Sequence, residues 1–488
     1  MKLIPSLLVI SCFLLCPIHS VPTEDLIVSM PGLKTQPPWK QYSGYLNATG
    51  NKKLHYWFLE SQNNPHTDPV VLWMNGGPGC SSDLGLLSEH GPFRINSDGK
   101  TVYYNSYSWN TVANMIYLEA PAGVGYSYSP DKDYKTDDDQ VALDNHLALK
   151  HFFLKFPEYK ANEFFVTGES YGGIYVPTLS ARLVDDSSFN FQGFVVGNGL
   201  SDGEMNTDSL IYFEYYHGLI GDKVWADLTE VCCGGNITRC SFLANAKGNL
   251  ACEHLVSGAL GIVYSSGLNV YNLYGPCEGQ KGFVYDESRK KTDIYSPKLA
   301  IYTLSPHTET VEEPKQMAFI QNVLQETVDI ENNVRLTPPC LNYDNVISYM
   351  NSAEVRAALH IPKEVQKWDI CSSVVGMGYK SLYNSMKDQY LKVLSHKKRV
   401  MVYNGDADMA CNFLGDEWFV SSLGQKLVSD RSMWHIKTGA GEQVAGFVKQ
   451  MENISLVTVR GAGHMVPTDK PGAALLMFTS FIKNTPLK

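Results

Sequence analysis

The pentapeptide Gly-Glu-Ser-Tyr-Gly at residues 168–172 constrains the fold of this 488-residue chain more than any other stretch. A short run of aromatic and β-branched residues precedes it, and apolar residues at helical spacing follow it. The pattern therefore predicts a sharp turn from a strand into a helix, with glycines where the backbone is strained. Such a turn holds the Ser170 hydroxyl above the edge of a parallel sheet and points the Tyr171 amide at the same place. The alternative is an ordinary glycine-rich loop.

Apolar runs that end in turns recur along the chain, and patterns with helical spacing lie between them. The runs that we interpret as strands cover 54–60, 70–74, 115–119, 164–167, 191–196, 399–403 and 455–459. Helical spacing is clearest at 139–156 and 471–482. Because strands and helices alternate, the sequence predicts an α/β protein with a mostly parallel central sheet.

This alternation is lost between residues 203 and 340, where cysteines are frequent and periodicity is weak. We interpret this region as a cap inserted into a core that covers 21–202 and 341–488. A polar, aperiodic stretch within the cap, about 305–333, is predicted to be flexible or to be excised after synthesis.

The first residues have the features of a secretory signal. Met1 and Lys2 precede an apolar run that extends to residue 15, and the small residue Ser20 offers a cleavage site, so 1–20 is the predicted signal peptide. The run is shorter than the roughly 20 apolar residues that a membrane span needs. We therefore expect a protein of the secretory pathway, lysosomal or secreted, without a membrane anchor.

Charge and glycosylation signals agree with this compartment. The formal net charge of −10 is not accompanied by a basic cluster, which argues against nucleic acid as a partner. Sequons begin at Asn47, Asn236 and Asn453, and each predicts a glycosylated, exposed loop or turn.

The cysteines indicate disulfides. Of the 11 in the chain, Cys12 and Cys16 lie in the predicted signal, which leaves an odd number. In a secreted protein this indicates four disulfides and one free thiol. Four of them crowd into one polar segment, namely Cys232, Cys233, Cys240 and Cys252. No histidine partners them at metal-ligand spacing, so disulfides are favoured over a zinc site, and we expect neither a metal nor a cofactor.

Two later turns provide the partners that a reactive serine needs. Asp408 follows the predicted strand 399–403, and His464 follows the strand 455–459. Both turns lie past the carboxyl ends of strands, where open α/β sheets place their ligands. The order Ser170, Asp408, His464 is that of α/β hydrolases, in which histidine acts as base and the acid orients it. Asp406 competes with Asp408 for the role of that acid.

Four motifs together resemble the serine carboxypeptidase family. They lie at 73–82 (WMNGGPGCSS), 168–172 (GESYG), 405–408 (GDAD) and 461–467 (GAGHMVP). The resemblance covers essentially the whole chain after the signal. It implies an α/β-hydrolase fold with an inserted cap. It also implies hydrolysis of the C-terminal bond of peptides and proteins through an acyl-enzyme, with a preference for hydrophobic residues.

The resemblance assigns a role to each site residue. Ser170 is the expected nucleophile, His464 the general base and then acid, and Asp408 the orienting carboxylate. The amides of Gly77 and Tyr171 are expected to form the oxyanion hole. The residues expected to bind the carboxylate of the substrate are Asn75, Gly76, Glu89 and Glu169.

Two acids beside a substrate carboxylate are compatible only if they share a proton. Two unit charges about 4 Å apart repel by about 4 kcal/mol at an effective dielectric constant near 20. One acid of the Glu89–Glu169 pair should therefore stay protonated well above its reference pKa and donate a hydrogen bond. We thus predict peptidase activity at acidic pH, with less pH dependence for substrates whose C-terminal carboxylate is blocked.

The resemblance also implies the cysteine pairs and three further expectations. The expected disulfides are Cys80–Cys371, Cys232–Cys252, Cys233–Cys240 and Cys277–Cys340, with Cys411 free. A homodimer and a non-catalytic role, in which the protein stabilises lysosomal glycosidases, are both expectations from the family. An esterase or acyltransferase on the same scaffold is the alternative activity, because an alcohol can replace water as the acceptor of the acyl group.

Overall fold

A computed structural model of the chain describes residues 22–238, 240–278 and 340–488. The predicted signal peptide, 1–20, and the stretch 305–333 lie outside these ranges. The strands in the described residues are β1 Gln41–Asn47, β2 Lys53–Leu59, β3 Val70–Met74, β4 Phe93–Ile95, β5 Val102–Tyr104, β6 Asn114–Leu118, β7 Thr136–Asp137, β8 Phe164–Ser170, β9 Phe191–Gly199, β10 Tyr379–Lys380, β11 Arg399–Gly405, β12 Leu427–Thr438, β13 Gly441–Met451 and β14 Ile454–Val459.

The α-helices flank and cap these strands. They are α1 Asp138–Lys155, α2 Gly172–Leu183, α3 Gly203–Tyr216, α4 Asp222–Cys233, α5 Phe242–Ala246, α6 Leu250–Ser265, α7 Asp344–Met350, α8 Ala353–Ala358, α9 Ser373–Gly378, α10 Lys387–Ser395, α11 Phe413–Ser422, α12 Val466–Asp469 and α13 Pro471–Ile482. Short 3₁₀ helices cover Thr23–Asp25, Trp109–Thr111 and Pro157–Tyr159, and a π-helical turn covers Gly85–Glu89.

Ten strands form the central sheet in the order β1-β2-β6-β3-β8-β9-β11-β14-β13-β12. The six from β6 to β14 are parallel to one another, and the two strands at each edge are joined by antiparallel pairing. The predicted α/β-hydrolase class with a mostly parallel sheet is thereby confirmed. In such a sheet the chain leaves every parallel strand at the same edge, which is where a site can form.

Strand β3 shows why the middle of this sheet is apolar throughout. Val71 and Trp73 pack into the core on one face, whereas Val70, Leu72 and Met74 pack into the core on the other. Because side chains alternate along a strand, a strand covered on both faces must be apolar at every position. Helices α1 and α2 cover one face, and α13 covers the other.

Helices α3 to α6 form a separate apolar cluster, which includes Phe213, Leu228 and Phe242. They lie in the region 203–340 that the sequence predicts as the cap. The sequence did not predict that these segments are helices, since cysteines and polar residues interrupt the apolar residues of this region.

The structure extends several predicted strands and adds others, including β1 at one edge of the central sheet. Strand β9 continues through Gly199, past the predicted end at residue 196, because its ladder with β8 extends to the pair Ser170–Gly199. Strands β12 and β13 were not predicted. Most side chains of β12 are exposed, so it carries no apolar alternation.

Among the helices in the described part of the chain, none has the length and apolar character needed to cross a membrane.

Candidate active site

Ser170 occupies a strained turn between β8, which it ends, and α2, which begins at Gly172. Its φ of +61° lies in the left-handed region, which a residue with a side chain enters only under structural constraint. The glycine at 168 allows close packing here, since a Cβ atom on it would lie 2.5 Å from the Met74 carbonyl oxygen. The sequence therefore builds the strand–turn–helix that its pentapeptide predicts.

Asp408 and His464 contact each other. His464 Nδ1 lies 2.7 Å from Asp408 Oδ2, and both side chains are buried. The carboxylate also accepts hydrogen bonds from the backbone amides of Ala410 (2.9 Å) and Cys411 (3.2 Å). Because the Asp408 carboxylate accepts these hydrogen bonds, the His464 nitrogen that faces it, Nδ1, is the donor, and Nε2 is left to accept a proton.

Asn198 connects this pair to the nucleophile. Its Nδ2 donates to Asp408 Oδ2 at 2.8 Å, and its neighbour Gly199 lies opposite Ser170 in the β8–β9 ladder. The Leu200 amide also donates to the Ser170 carbonyl at 2.9 Å. The end of β9 thus joins the serine turn to the acid of the Asp408–His464 pair.

Asp406, the competing acid, has a different partner. Its Oδ1 accepts from the Gly461 amide at 2.6 Å, which ties together the turns after β11 and β14. The contact between a carboxylate and His464 Nδ1 is made by Asp408.

The segment Gly76–Gly77 lies against the serine turn. A Cβ atom on Gly76 would be 2.4 Å from the Tyr171 amide nitrogen and 2.8 Å from Ser170 Cβ, so no larger residue fits. Gly77 has φ of +113°, which glycine adopts readily. The structure therefore places Gly76, the neighbour of Gly77, against the Tyr171 amide and Ser170. That Gly77 and Tyr171 form the oxyanion hole stays a prediction.

Asn75 joins the two acids of the expected carboxylate site. Its Nδ2 donates to Glu89 Oε1 at 3.0 Å and to Glu169 Oε1 at 2.9 Å. Its Oδ1 accepts from Trp73 Nε1 (2.7 Å) and the Gly85 amide (3.0 Å), which fixes the orientation of the side-chain amide. Glu89 reaches this place from the end of a π-helical turn, an irregularity common at functional sites.

Burial raises the pKa of both acids. Burial, and then the charge of Glu89, raise the pKa of Glu169 well above its ordinary value, and burial also raises the pKa of Glu89. Glu89 Oε2 and Glu169 Oε2 are buried and take no donor from the described residues, so a proton held between the acids would satisfy both. That the pair shares one proton stays a prediction.

One group in the described residues has metal-ligand spacing: His55, Asp83 and Glu119, all buried. Glu119 has four hydrogen-bond partners, whereas both Asp83 oxygens are buried without a hydrogen bond to the described residues. The partners of Glu119 are Ser81 Oγ, Trp368 Nε1, the Tyr126 amide and His55 Nδ1. That the protein works without a metal or cofactor stays a prediction.

The disulfides of the structure are the pairs that the resemblance implies. They are Cys80–Cys371, Cys232–Cys252, Cys233–Cys240 and Cys277–Cys340. The first lies directly after the glycine-rich segment 76–79 and links it to the later half of the core. Cys411 is free and buried, and burial raises the pKa of its thiol well above the ordinary value, which makes it unreactive.

The three sequons differ in exposure. Asn47, at the end of β1, and Asn236 are exposed, whereas Asn453, in the turn between β13 and β14, is half-buried. Their glycosylation stays a prediction.

Sequence reasoning missed three residues that support the site: Asn198, Tyr271 and Asp469. Tyr271 lies in the region predicted as the cap, and its carbonyl accepts from the His464 amide at 2.6 Å. Asp469 Oδ2 accepts from the Gly463 amide at 2.7 Å. Only Asn198 had a signal, because it lies between two glycines just after a predicted strand.

Comparisons with known proteins agree with this geometry. A family model described as serine carboxypeptidase matches residues 31–484. The chain is 50% identical to the lysosomal protective protein of Mus musculus over 96% of its own length and 95% of that protein. It is 36% identical to serine carboxypeptidase ctsa-4.1 of Caenorhabditis elegans, covering 99% and 98% of the two chains.

A solved structure shares the fold. It is Kex1(delta)p, a prohormone-processing carboxypeptidase from Saccharomyces cerevisiae, with a TM-score of 0.70 and 22% sequence identity. The match covers 94% of this chain and 96% of that one. Since the family model and these relatives span nearly the whole sequence, the chain belongs to the serine carboxypeptidase family.

Proposed function

We propose that this serine carboxypeptidase removes C-terminal residues, preferably hydrophobic ones, from peptides and proteins in an acidic compartment, with Ser170, His464 and Asp408 as its catalytic triad. The observation that carries the proposal is the Asn75–Glu89–Glu169 cluster beside the serine turn. A proton-sharing acid pair held next to a nucleophile suits recognition of a free carboxylate.

The proposed chemistry gives each member of the triad one role. Ser170 Oγ attacks the scissile carbonyl while its proton passes to His464 Nε2, and Asp408 stabilises the imidazolium. The amides of Gly77 and Tyr171 donate to the developing oxyanion. Loss of one such donor typically costs about 2.7 to 4 kcal/mol of transition-state stabilisation. His464 then gives its proton to the leaving amine, and water hydrolyses the acyl-enzyme by the same steps.

The exopeptidase specificity follows from distance. Only one residue separates the scissile carbonyl from the free carboxylate, so a site for that carboxylate must lie about one Cα step, roughly 3.8 Å, from the oxyanion hole. Asn75 and Gly76 directly precede Gly77 and satisfy this condition. In the proposed complex, the protonated acid of the pair donates to the substrate carboxylate.

This arrangement sets the direction of the pH dependence. The pKa of Glu169 is raised, so the pair keeps its proton at acidic pH and loses it as the pH rises. The second negative charge then repels a substrate carboxylate. A peptide amide has no such charge, so its hydrolysis should persist to higher pH.

A labelling experiment and a substrate comparison test the proposal. A fluorophosphonate probe should label Ser170, and Ser170→Ala should abolish labelling and hydrolysis. Rates measured against pH for a peptide acid and its amide should diverge above the acidic range. Labelling at another residue would contradict the triad, and identical pH profiles would contradict the shared proton. Transfer of the acyl group from an acyl-glucose ester to an alcohol would instead favour the acyltransferase alternative.

Similarity to a lysosomal protective protein supports a second, non-catalytic function. In this second role, the protein stabilises lysosomal glycosidases. It forms a homodimer and resides in the lysosome or is secreted. If the two functions are separate, Ser170→Ala should still prolong the lifetime of a co-expressed glycosidase at acidic pH. Light scattering of the purified protein tests the homodimer. No prolongation by either form would contradict the protective role.

The proposed cap at 203–340 includes the stretch about 305–333 as an excision site. The Cys277–Cys340 disulfide joins the two sides of that stretch and would hold the halves together after cleavage. Two bands on a reducing gel, and one band without reduction, are expected for the processed protein. A single band under reduction would show that the chain stays intact.

A further inference from the structure

Four residues of the cap, Val270–Leu273, lie across both loops that carry the proposed catalytic pair. We call this segment the cap strap. The Val270 carbonyl accepts from the Met409 amide at 3.0 Å, and the Leu273 amide donates to the Ala407 carbonyl at 2.9 Å. Backbone bonds from the strap therefore hold the chain on each side of Asp408.

The same strap contacts the histidine loop. The Tyr271 carbonyl accepts from the His464 amide at 2.6 Å, and the rings of the two residues lie 5.1 Å apart. The approach is close, because a Cβ atom on Gly463 would lie 2.2 Å from the Tyr271 carbonyl oxygen. The strap thus bonds to His464 itself, and glycine at 463 is needed for that contact.

A side-chain link completes the arrangement. Asp469 Oδ2 accepts from the Gly463 amide at 2.7 Å and from Asn272 Nδ2 at 3.0 Å. One carboxylate therefore joins the histidine loop to the strap. The strap has its own support, since Asn269 accepts from the Tyr271 amide (3.0 Å) and donates to the Pro276 carbonyl (2.9 Å).

We infer that the cap strap holds Asp408 and His464 in reacting geometry, with Asn272 and Asp469 as positioning residues. The inference rests on the proposed function, because it takes these two residues as the catalytic pair. Small displacements of reacting groups are costly, with about a hundredfold loss of rate for roughly 1 Å. A strap that bonds to both loops restricts such displacements, so the cap contributes to catalysis as well as covering the core.

Exchange of the two positioning residues tests the inference. Asn272→Ala should lower kcat about five- to tenfold with KM nearly unchanged, and Asp469→Ala should lower it further, because the Gly463 amide also loses its acceptor. Asn272→Asp places two carboxylates together and should be at least as harmful. When Asn272→Asp is combined with Asp469→Asn, kcat should recover to within about threefold of the wild-type value. The new amide at position 469 can accept from Gly463 through its oxygen and donate through its nitrogen to the carboxylate at position 272.

The second-order rate of fluorophosphonate labelling at Ser170 provides a readout that does not involve the carboxylate site, and it should follow kcat through the series. Asn63→Ala is the matched control, since Asn63 donates to Asp68 in another exposed Asn–Asp pair far along the chain. It should leave both rates unchanged. If wild type is labelled at Ser170 but Asn272→Ala reacts at the wild-type rate, or the exchange fails to rescue, the inference is wrong. If wild type is not labelled at Ser170, the proposed triad is wrong instead.

Discussion

Asn198 and Asp408 are joined by a hydrogen bond of 2.8 Å, from Nδ2 of the amide to the same carboxylate oxygen that contacts His464. Asn198 Oδ1 in turn accepts from the Gly405 amide at 3.1 Å, so the amide cannot rotate without breaking a second bond. Asn198 has φ of +42°, a conformation that asparagine tolerates better than most residues. The end of β9 therefore supplies a fixed donor to the proposed catalytic acid.

Asn198→Ala should lower kcat/KM about 10- to 100-fold, since a hydrogen bond to a charged group contributes about 1.5 to 3 kcal/mol. Steady-state kinetics with a peptide acid provide the measurement. Asn198→Asp keeps the shape but adds a second negative charge beside Asp408, so it should be less active than the alanine variant at neutral pH. Wild-type kinetics in the alanine variant would show that Asp408 needs no support from β9.

Glu169→Gln should change the pH profile more than the rate at its optimum. Burial and Glu89 raise the pKa of Glu169, so in the wild type this group is protonated in acid and loses its proton as the pH rises. Glutamine cannot ionise, and its amide can still donate a hydrogen bond. Hydrolysis of a peptide acid by the variant should therefore persist to higher pH.

The profile for a peptide amide serves as the control for Glu169→Gln, because it should be similar in variant and wild type. An unchanged alkaline limb for the peptide acid would contradict the role of the acid pair.

Gly76→Ala should impair catalysis without unfolding the protein. The added Cβ atom would meet the Tyr171 amide nitrogen at 2.4 Å, and backbone atoms cannot move aside as a flexible side chain can. The oxyanion donors would shift, and a loss of about a hundredfold in kcat is expected. Gly221→Ala is the matched control, since a Cβ atom there has no neighbour within 4 Å. Equal kcat for both variants would contradict the predicted crowding.

Glu214 should make the cap sensitive to pH. It is buried in α3, both its carboxylate oxygens lack a partner among the described residues, and burial raises its pKa to about 8. The folded pKa exceeds the unfolded value of about 4.3, so the stability due to this group is complete at low pH. That contribution is lost as the pH rises from about 4.3 through about 8.

The free energy of unfolding should fall by at most about 1.4 kcal/mol per pH unit in this window. Glu214→Gln should remove this pH dependence. The Tm of the variant should therefore exceed the Tm of the wild type by more at pH 8 than at pH 5. Glu230→Gln, at a residue exposed at the end of α4, is the control and should leave the pH dependence unchanged. A parallel dependence in variant and wild type would exclude Glu214 as its source.

The strands in the middle of the sheet were predictable because burial on both faces requires a continuous apolar run. Strand β3 and helix α13 have the predicted bounds, Val70–Met74 and Pro471–Ile482. Strands β12 and β13 were not predictable from pattern, since they extend the sheet at one edge with mostly polar or exposed side chains. Their pairing is a property of backbone hydrogen bonds, which any sequence without proline can form.

The sequence by itself determined which residues could react. The motifs around Ser170, Asp408 and His464 are local, because each combines a strand end with a tight turn whose glycines are required by backbone geometry. Only the tertiary structure decided how those residues are held. Asn198 and Tyr271 are distant from their partners along the chain, as Asp469 is from Asn272. They approach only when β9, the predicted cap and α12 pack together. Such contacts depend on three-dimensional proximity, and no spacing in the sequence records it.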